Sequence, residues 1–556
     1  MSSDIKRVVL ALALSVAIMW AWSHFFGPKP QTPSPAPTAP TAAAPAATAQ
    51  GQPAAPGQTA QPAPASPSAA PAPPLAAQPG KDVVVQTPMM TAVFNDKGGS
   101  LRKVVLKKYY NDPDKKGGHY VMLDLPGNGP GTLSFALPQV DPSLPLRTMT
   151  PSQPGLDLTA GQGQLVFHGS SSGLDITRTY DFRADSYAFD LSMAVKNVSN
   201  QRVEVTPELT LSDLVRDNHG NSYAFVGVSY YKDGSFQEAP AEDLKDRVVD
   251  AGDLTWLALN IPYFTGVIAP LEQGGGPVKR SLRGEAGKGI MNGTLVDQAR
   301  TLEPGQSLTL KYLVFYGPRD LDILESLGHH LSALVDFGWF DIIAKPMLAA
   351  LKFFYGFVGN YGVAIILITI LIKLAFWPLT RKSYRSMKQM QQLQPQMAKI
   401  REKYKGDKQR MNQEIMQLYK TYKVNPMGGC LPMVVQIPVF IAFYKVLGGS
   451  LELWHAPFML WINDLSAPDR LPIGFHIPYV GDGLPVLTLL MGASMFIQQK
   501  MTPATMGDPT QQKMMMLMPV MFTVFFINFP SGLVLYWFVN NLISIGQQYW
   551  TNHSKG

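Results

Sequence analysis

Within the apolar run ILITILIKLAFWPL, residues 366–379, a single ammonium group stands at Lys373. A charge near the middle of a membrane-spanning helix costs about 2.5–3.5 kcal/mol on insertion scales. Such a group either snorkels to water along its stem, or serves a hydrated cavity where its chemistry is the attraction of anions. Arg381 marks the basic boundary, about 12 Å further on at ~1.5 Å per residue, and a lysine stem covers about half of that. Both readings stay open on this stretch alone. Polar side chains recur in neighbouring apolar segments: Thr369, Gln436, Thr488, Ser494, Asn528, Asn540 and Asn541. Singly, such groups glue helices together; a cation and several amides on different segments fit a shared wet cavity better.

Other chemistry is hard to find. His119, His168 and His219 stand apart without metal-ligand spacing, and neither G-x-S-x-G nor H-E-x-x-H occurs. Cys430 is the only cysteine, which excludes an intramolecular disulfide and a cysteine metal cluster. The sequence therefore predicts no enzyme, no cofactor and no metal.

The elements that must position Lys373 follow from hydropathy. Residues 1–26 read as a retained transmembrane anchor, with Trp20, Trp22 and Phe25 at its far end and no small-x-small cleavage site. Residues 27–80 hold 16 prolines and one charge, Lys29, and read as a disordered linker. From 81 to 330 short runs alternate at period two (YAFDLSMAVKNVS, SLTLKYLVFYG), which predicts an antiparallel β-sandwich. Trp256, Tyr263 and Phe264 are better explained as its core than as a sugar or peptide site. Residues 336–357, with Lys345 and Lys352, predict an interfacial amphipathic helix. Spans are predicted at 358–379, 427–449, 484–500, 514–530 and 533–550, six with the anchor. Those at 484–500 and 514–530 fall short of the ~20 residues a bilayer core asks for.

The net charge of +7 is concentrated in residues 380–424, which hold 12 Lys/Arg against 3 Asp/Glu. The 450–483 loop has only Arg470, so both termini, the 501–513 loop and the 551–556 tail fall inside, and the sandwich and 450–483 fall outside, in a periplasm. Apolar residues Met387, Met390, Leu393, Met397 and Met411, Ile415, Leu418 recur at helical steps around KGD. They predict two amphipathic helices paired as a hairpin, with Asp407 capping the second. Its basic face carries Arg381, Lys382, Arg385, Lys388, Lys399, Arg401 and Lys403. That charge suits anionic lipid, a ribosome surface or nucleic acid, and composition does not choose among them.

Five motifs in order, PLTRKSYRSMKQMQQLQPQM, NPMGGCLPMVVQIPVF, APFMLWINDLSAPD, DPTQQKMMMLMPVMFTVFF and FPSGLVLYWFVNNL, closely resemble the YidC/Oxa/Alb insertases over about 336–550. The resemblance implies a polytopic α-helical membrane protein: six spans, a five-helix insertase core, and a large all-β periplasmic sandwich of the Gram-negative form. It implies a hydrophilic groove that admits newly made membrane proteins to the inner membrane, alone or beside the Sec translocon. Expected partners are those clients, membrane lipids, the translocon and, on charge grounds, the ribosome; no specific nucleic acid is expected. The implied groove residues are Lys373, Thr369, Gln436, Tyr536, Trp537 and Asn540. The family usually places arginine where this chain has Lys373, so the charge is kept and the five-donor fork is lost. Trp537 stands where the pattern usually has a second tyrosine. The rival class is a secondary transporter with a periplasmic binding domain; it should show paired repeats, and none is visible.

Overall fold

The computed structural model describes residues 80–556 except 128, 216–224, 245–246, 272–278, 288, 423, 425–430, 479, 502–508 and 554–556. The expected anchor, residues 27–79 of the linker, His219, and most of the 501–513 loop lie outside the described residues.

Alternation along the strands builds the first half. In Leu174–Arg183 the inward positions Leu174, Ile176, Arg178, Tyr180 and Phe182 are all buried and the others are not. A five-stranded sheet runs in the order 119–124, 100–110, 90–95, 82–86, 155–157, the last strand joining in parallel. A 13-stranded sheet lies against it. The contact is aromatic: Phe94 of the small sheet packs 4.6 Å from Tyr180 and edge to face on Phe182 and Phe189 of the large one, at 6.0 and 6.4 Å. Arg178 is the one cation in this core stack, and it donates to the carbonyls of Gly98 and Leu133. Trp256 and Phe264 are fully buried and Tyr263 nearly so, which is core packing. His119 stacks on Tyr110 and His168 meets Thr177 Oγ1. Among the described residues no group of side chains is placed to hold a metal.

The second half is helical: α1 (Leu321–Leu327), α2 (Asp341–Val358), α3 (Tyr361–Ala375), α4 (Trp377–Lys403), α5 (Lys408–Thr421), α6 (Leu431–Gly449), α7 (Val486–Met501), α8 (Pro509–Phe526) and α9 (Ser531–His553). Gly359, at φ +64°, ends α2, and Asn360 caps α3 by accepting from Val363 N. The apolar run of residues 366–379 does not continue straight through its boundary. It breaks at Phe376, where α3 and α4 meet at 64°. Pro378 has no N–H, and its ring opposes the carbonyl four residues back, so the ladder cannot pass. Beyond the bend α4 runs for 27 residues. α5 folds back antiparallel to it: Gln396 donates to Tyr422 and the Tyr404 hydroxyl reaches Glu414, while Met390, Leu393 and Met397 are buried between them. Asp407 caps α5 through Arg410 N.

Among the described residues no single helix is both long and apolar enough to cross a membrane; α3 and α4 meet that test only as a bent pair. α3 has 15 residues, and α9, with 23, is interrupted by Asn540, Asn541, Gln547 and Gln548. Helices α2, α3, α6, α7, α8 and α9 nevertheless share one apolar core that includes Leu348, Ile365, Phe443, Met491, Phe526 and Val534.

Trp454 and Lys352 are among the side chains that join the sandwich to this core. Trp454, in the turn after α6, enters a ring of sandwich aromatics, 5.1 Å from both Tyr120 and Phe264, edge to face, with Tyr109 and Tyr263 beside them. Lys352 of α2 meets Asp322 at 2.8 Å, Glu452 at 3.1 Å and Asp320 at 3.4 Å. Burial alone would pull the Lys352 ammonium down, but the hydrogen bond to Asp322 and the charges of Glu452 and Asp320 outweigh it and raise it above the usual lysine range. Burial also pushes the Glu452 carboxyl up, against the pull of Lys352.

Candidate functional site

α9 carries a polar stripe on its inner side. Tyr536, Asn540, Ser544, Gln547 and Thr551 follow at steps of four, four, three and four, the spacing of one helical face. Asn541 and Gln548 widen it, and of the seven all but half-buried Asn540 are buried.

Lys373, in the last turn of α3, reaches this stripe. Its Nζ donates to Ser544 Oγ at 2.7 Å, and Ser544 in turn donates to the Asn540 carbonyl at 2.8 Å. One turn above, Gln436 of α6 donates to Asn540 Oδ1 at 2.8 Å. Asn541 donates to Ser494 of α7, and Gln548 to the Met501 carbonyl. Helices α3, α6 and α7 therefore each contribute a polar contact to α9. Lys373 is only 7% exposed, and among the described residues no carboxylate is paired with it. An ammonium held by a hydroxyl alone keeps most of its attraction for an incoming anion.

The remaining expected residues divide. Thr369 is buried one turn before Lys373, but its hydroxyl turns back to the Ile365 carbonyl. Tyr536 is wedged against Phe443 at 4.8 Å, with its hydroxyl beside Gln436. Trp537 stacks edge-on to Phe440 at 4.6 Å and against Phe526 at 4.9 Å, an apolar contact. Arg381, Lys382, Arg385, Lys399 and Lys403 are exposed along α4, and Lys388 and Arg401 are half-buried. Arg381 lies over the Trp550 ring, and Tyr384 reaches the Ser544 carbonyl, so the first turns of α4 close over the end of the stripe.

Two similarities decide the family. Residues 82–350 match the family model described as YidC periplasmic domain, and residues 353–556 match that of the 60Kd inner membrane protein. A membrane protein insertase YidC of Pelobacter propionicus is 44% identical over 98% of this chain and 99% of its own length. The chain belongs to the YidC family of membrane protein insertases. The family's Syntrophobacter fumaroxidans member is 50% identical over 68% of each chain. A solved structure described as an active YidC insertase, with its first transmembrane domain resolved, is similar at 18% identity and TM-score 0.37, covering 85% of this chain and 95% of that one.

The YidC-like pattern did not lead to Ser544, Gln547, Gln548 or Tyr384. Gln547 is the most telling omission: it is 5% exposed, and neither atom of its amide has a hydrogen-bond partner. The signal was present in the sequence as the four-residue steps that continue past Asn540. It was masked because QQ near a helix end reads as an ordinary interfacial pair.

Proposed function

We propose that this chain inserts newly made membrane proteins into the inner membrane and assists their folding, and that the stripe of α9 with Lys373 is the surface that receives them. A hydrophilic segment entering lipid leaves backbone groups unsatisfied, at several kcal/mol each. A row of amides and hydroxyls offers those groups partners, and a cation attracts acidic residues ahead of a client helix. The observation that carries the reading is the Lys373–Ser544 contact, a buried ammonium paired with a neutral group.

In this reading the N-terminal anchor and five core segments span the bilayer, bent or shortened where the helices are, with a thinned bilayer making up the difference. The sandwich and the 450–483 loop are periplasmic. The α4–α5 hairpin and both termini are cytoplasmic, where the basic face recruits clients, anionic lipid or the ribosome, and the Sec translocon is a further partner. No cofactor, metal or catalytic step is required. The methionine face of α8, with Met516, Met518 and Met521 exposed, suits varied apolar helices.

The test is reconstitution of the purified protein in liposomes with a single-span client bearing an acidic tail. Protease-protected client is the expected result. Solute uptake without client insertion would favour a transporter instead.

A further inference from the structure

The loop after α6 ends in a tip built to be apolar and rigid. Phe458 N donates to the Ile462 carbonyl at 2.9 Å and Ile462 N to that of Met459 at 3.1 Å, closing a tight turn over FMLWI. Asp464 Oδ1 gathers His455 N, Ser466 N and Ser466 Oγ, and Trp461 Nε1 donates to Asp469. Ile462 and Leu465 are buried in the helical core, and Gly532 N and Ser531 N hold the loop to the start of α9. The flanks are thus fixed inward, yet Leu460 is 81% exposed and Met459 49%.

Leu460 also sits at φ +57°, in the left-handed region where a branched apolar residue is strained and glycine or asparagine is favoured. A leucine there gains nothing in water. The tip is seated beside the turn between α2 and α3: Asn360 Nδ2 donates to the Phe458 carbonyl, and the Phe458 ring lies against Gly362, where a Cβ would meet it at 2.0 Å. Exposed Phe353 and Phe357 at the end of α2 continue the apolar surface past that turn.

We propose that Met459–Leu460 is a lipid anchor, inserted among the acyl chains of the outer leaflet. It fixes the depth of the start of α3, as the apolar side of an interfacial helix does for its own chain. The proposal rests on the topology given above, and the experiment separates the two. Spin labels are placed at Leu460→Cys and Met459→Cys in the Cys430→Ser protein, reconstituted alone in phosphatidylethanolamine–phosphatidylglycerol vesicles. Accessibility is read with oxygen, which concentrates in lipid, and with a nickel chelate, which stays in water. Leu371→Cys, on an exposed apolar position of α3, is the lipid reference, and exposed Glu325→Cys of α1 is the water reference. The oxygen-to-nickel ratio at 460 is expected to lie several-fold above that at 325 and near that at 371, with 459 between. A water-like ratio at 460 with a lipid-like ratio at 371 overturns the anchor and leaves the topology standing. A water-like ratio at 371 overturns both. Exclusion of both reagents at 460 marks a protein-covered seat and also overturns the anchor.

Discussion

Lys373 Nζ lies 2.7 Å from Ser544 Oγ, a bond between the last turn of one helix and the fourth turn of another. It answers the question of the buried ammonium in structural terms: the stem does not run to solvent but across to α9. If client tails meet that charge, Lys373→Arg keeps insertion. Lys373→Ala impairs acidic-tailed clients more than neutral ones, and Lys373→Glu is worst. Matched clients in liposomes at equal protein levels measure this. Equal insertion of both clients in the Ala and Glu variants would end the role of Lys373.

Gln547 separates stability from activity. Its unpaired amide costs about 1–3 kcal/mol of desolvation, so Gln547→Leu should raise the thermal midpoint in detergent. The same change removes a hydrogen-bonding station from the stripe, so insertion of clients with polar leading segments should fall several-fold. A rise in both quantities would assign Gln547 to packing alone.

The α4–α5 hairpin depends on helix for its buried face. Proline at Met390 and at Ile415 should cost about 3 kcal/mol each in helix interiors. Circular dichroism should report the lost helix, and insertion should drop while the protein remains in the membrane. Full insertion despite the lost helix would make the hairpin a solvated loop.

Trp454 and Lys352 hold the sandwich to the helices. Trp454→Ala removes the aromatic plug and should weaken the attachment by about 2–3 kcal/mol, less than a full core aromatic because the ring is only partly buried. Lys352→Met strands Glu452, and should weaken it more than Asp322→Asn, whose side chain is 75% exposed. Hydrogen exchange in strand Phe264–Pro270 and in the turn after α6 should rise together in each variant. Unchanged exchange in both would mean the contact carries no load.

Thiol labelling gives the orientation. In the Cys430→Ser protein, Asp482→Cys should react from the outside and Lys405→Cys only from the inside. The opposite pattern would invert the arrangement.

Strand positions were legible because alternation is local: Ala188–Asn197, within YAFDLSMAVKNVS, could be assigned from its own residues, and Trp256 and Phe264 followed as core. The stripe Met390, Leu393 and Met397 was legible for the same reason. The break at Phe376 was not, since the span predicted at 358–379 runs on past Pro378. Nor was the partner of Lys373, which lies 171 positions away on another helix and depends on how α3 and α9 pack. The loop after α6 was read as an ordinary outer connection because nothing in WHAPFMLWIND announces that Trp454 turns into the sandwich while Leu460 turns out.

The bend at Phe376 has a mechanical side. α4 extends about 40 Å beyond it at ~1.5 Å per residue, whereas Lys373 stands about 4–5 Å before it. Treated as a stiff rod on a pivot, the long arm outreaches the short one about ninefold. A swing of about 5° would carry the far tip of α4 by about 3–4 Å and Lys373 by only a few tenths of an ångström. A weak load on the distant tip would then act on the ammonium with considerable leverage, and a small shift of Lys373 against Ser544 would be magnified at the far end of α4.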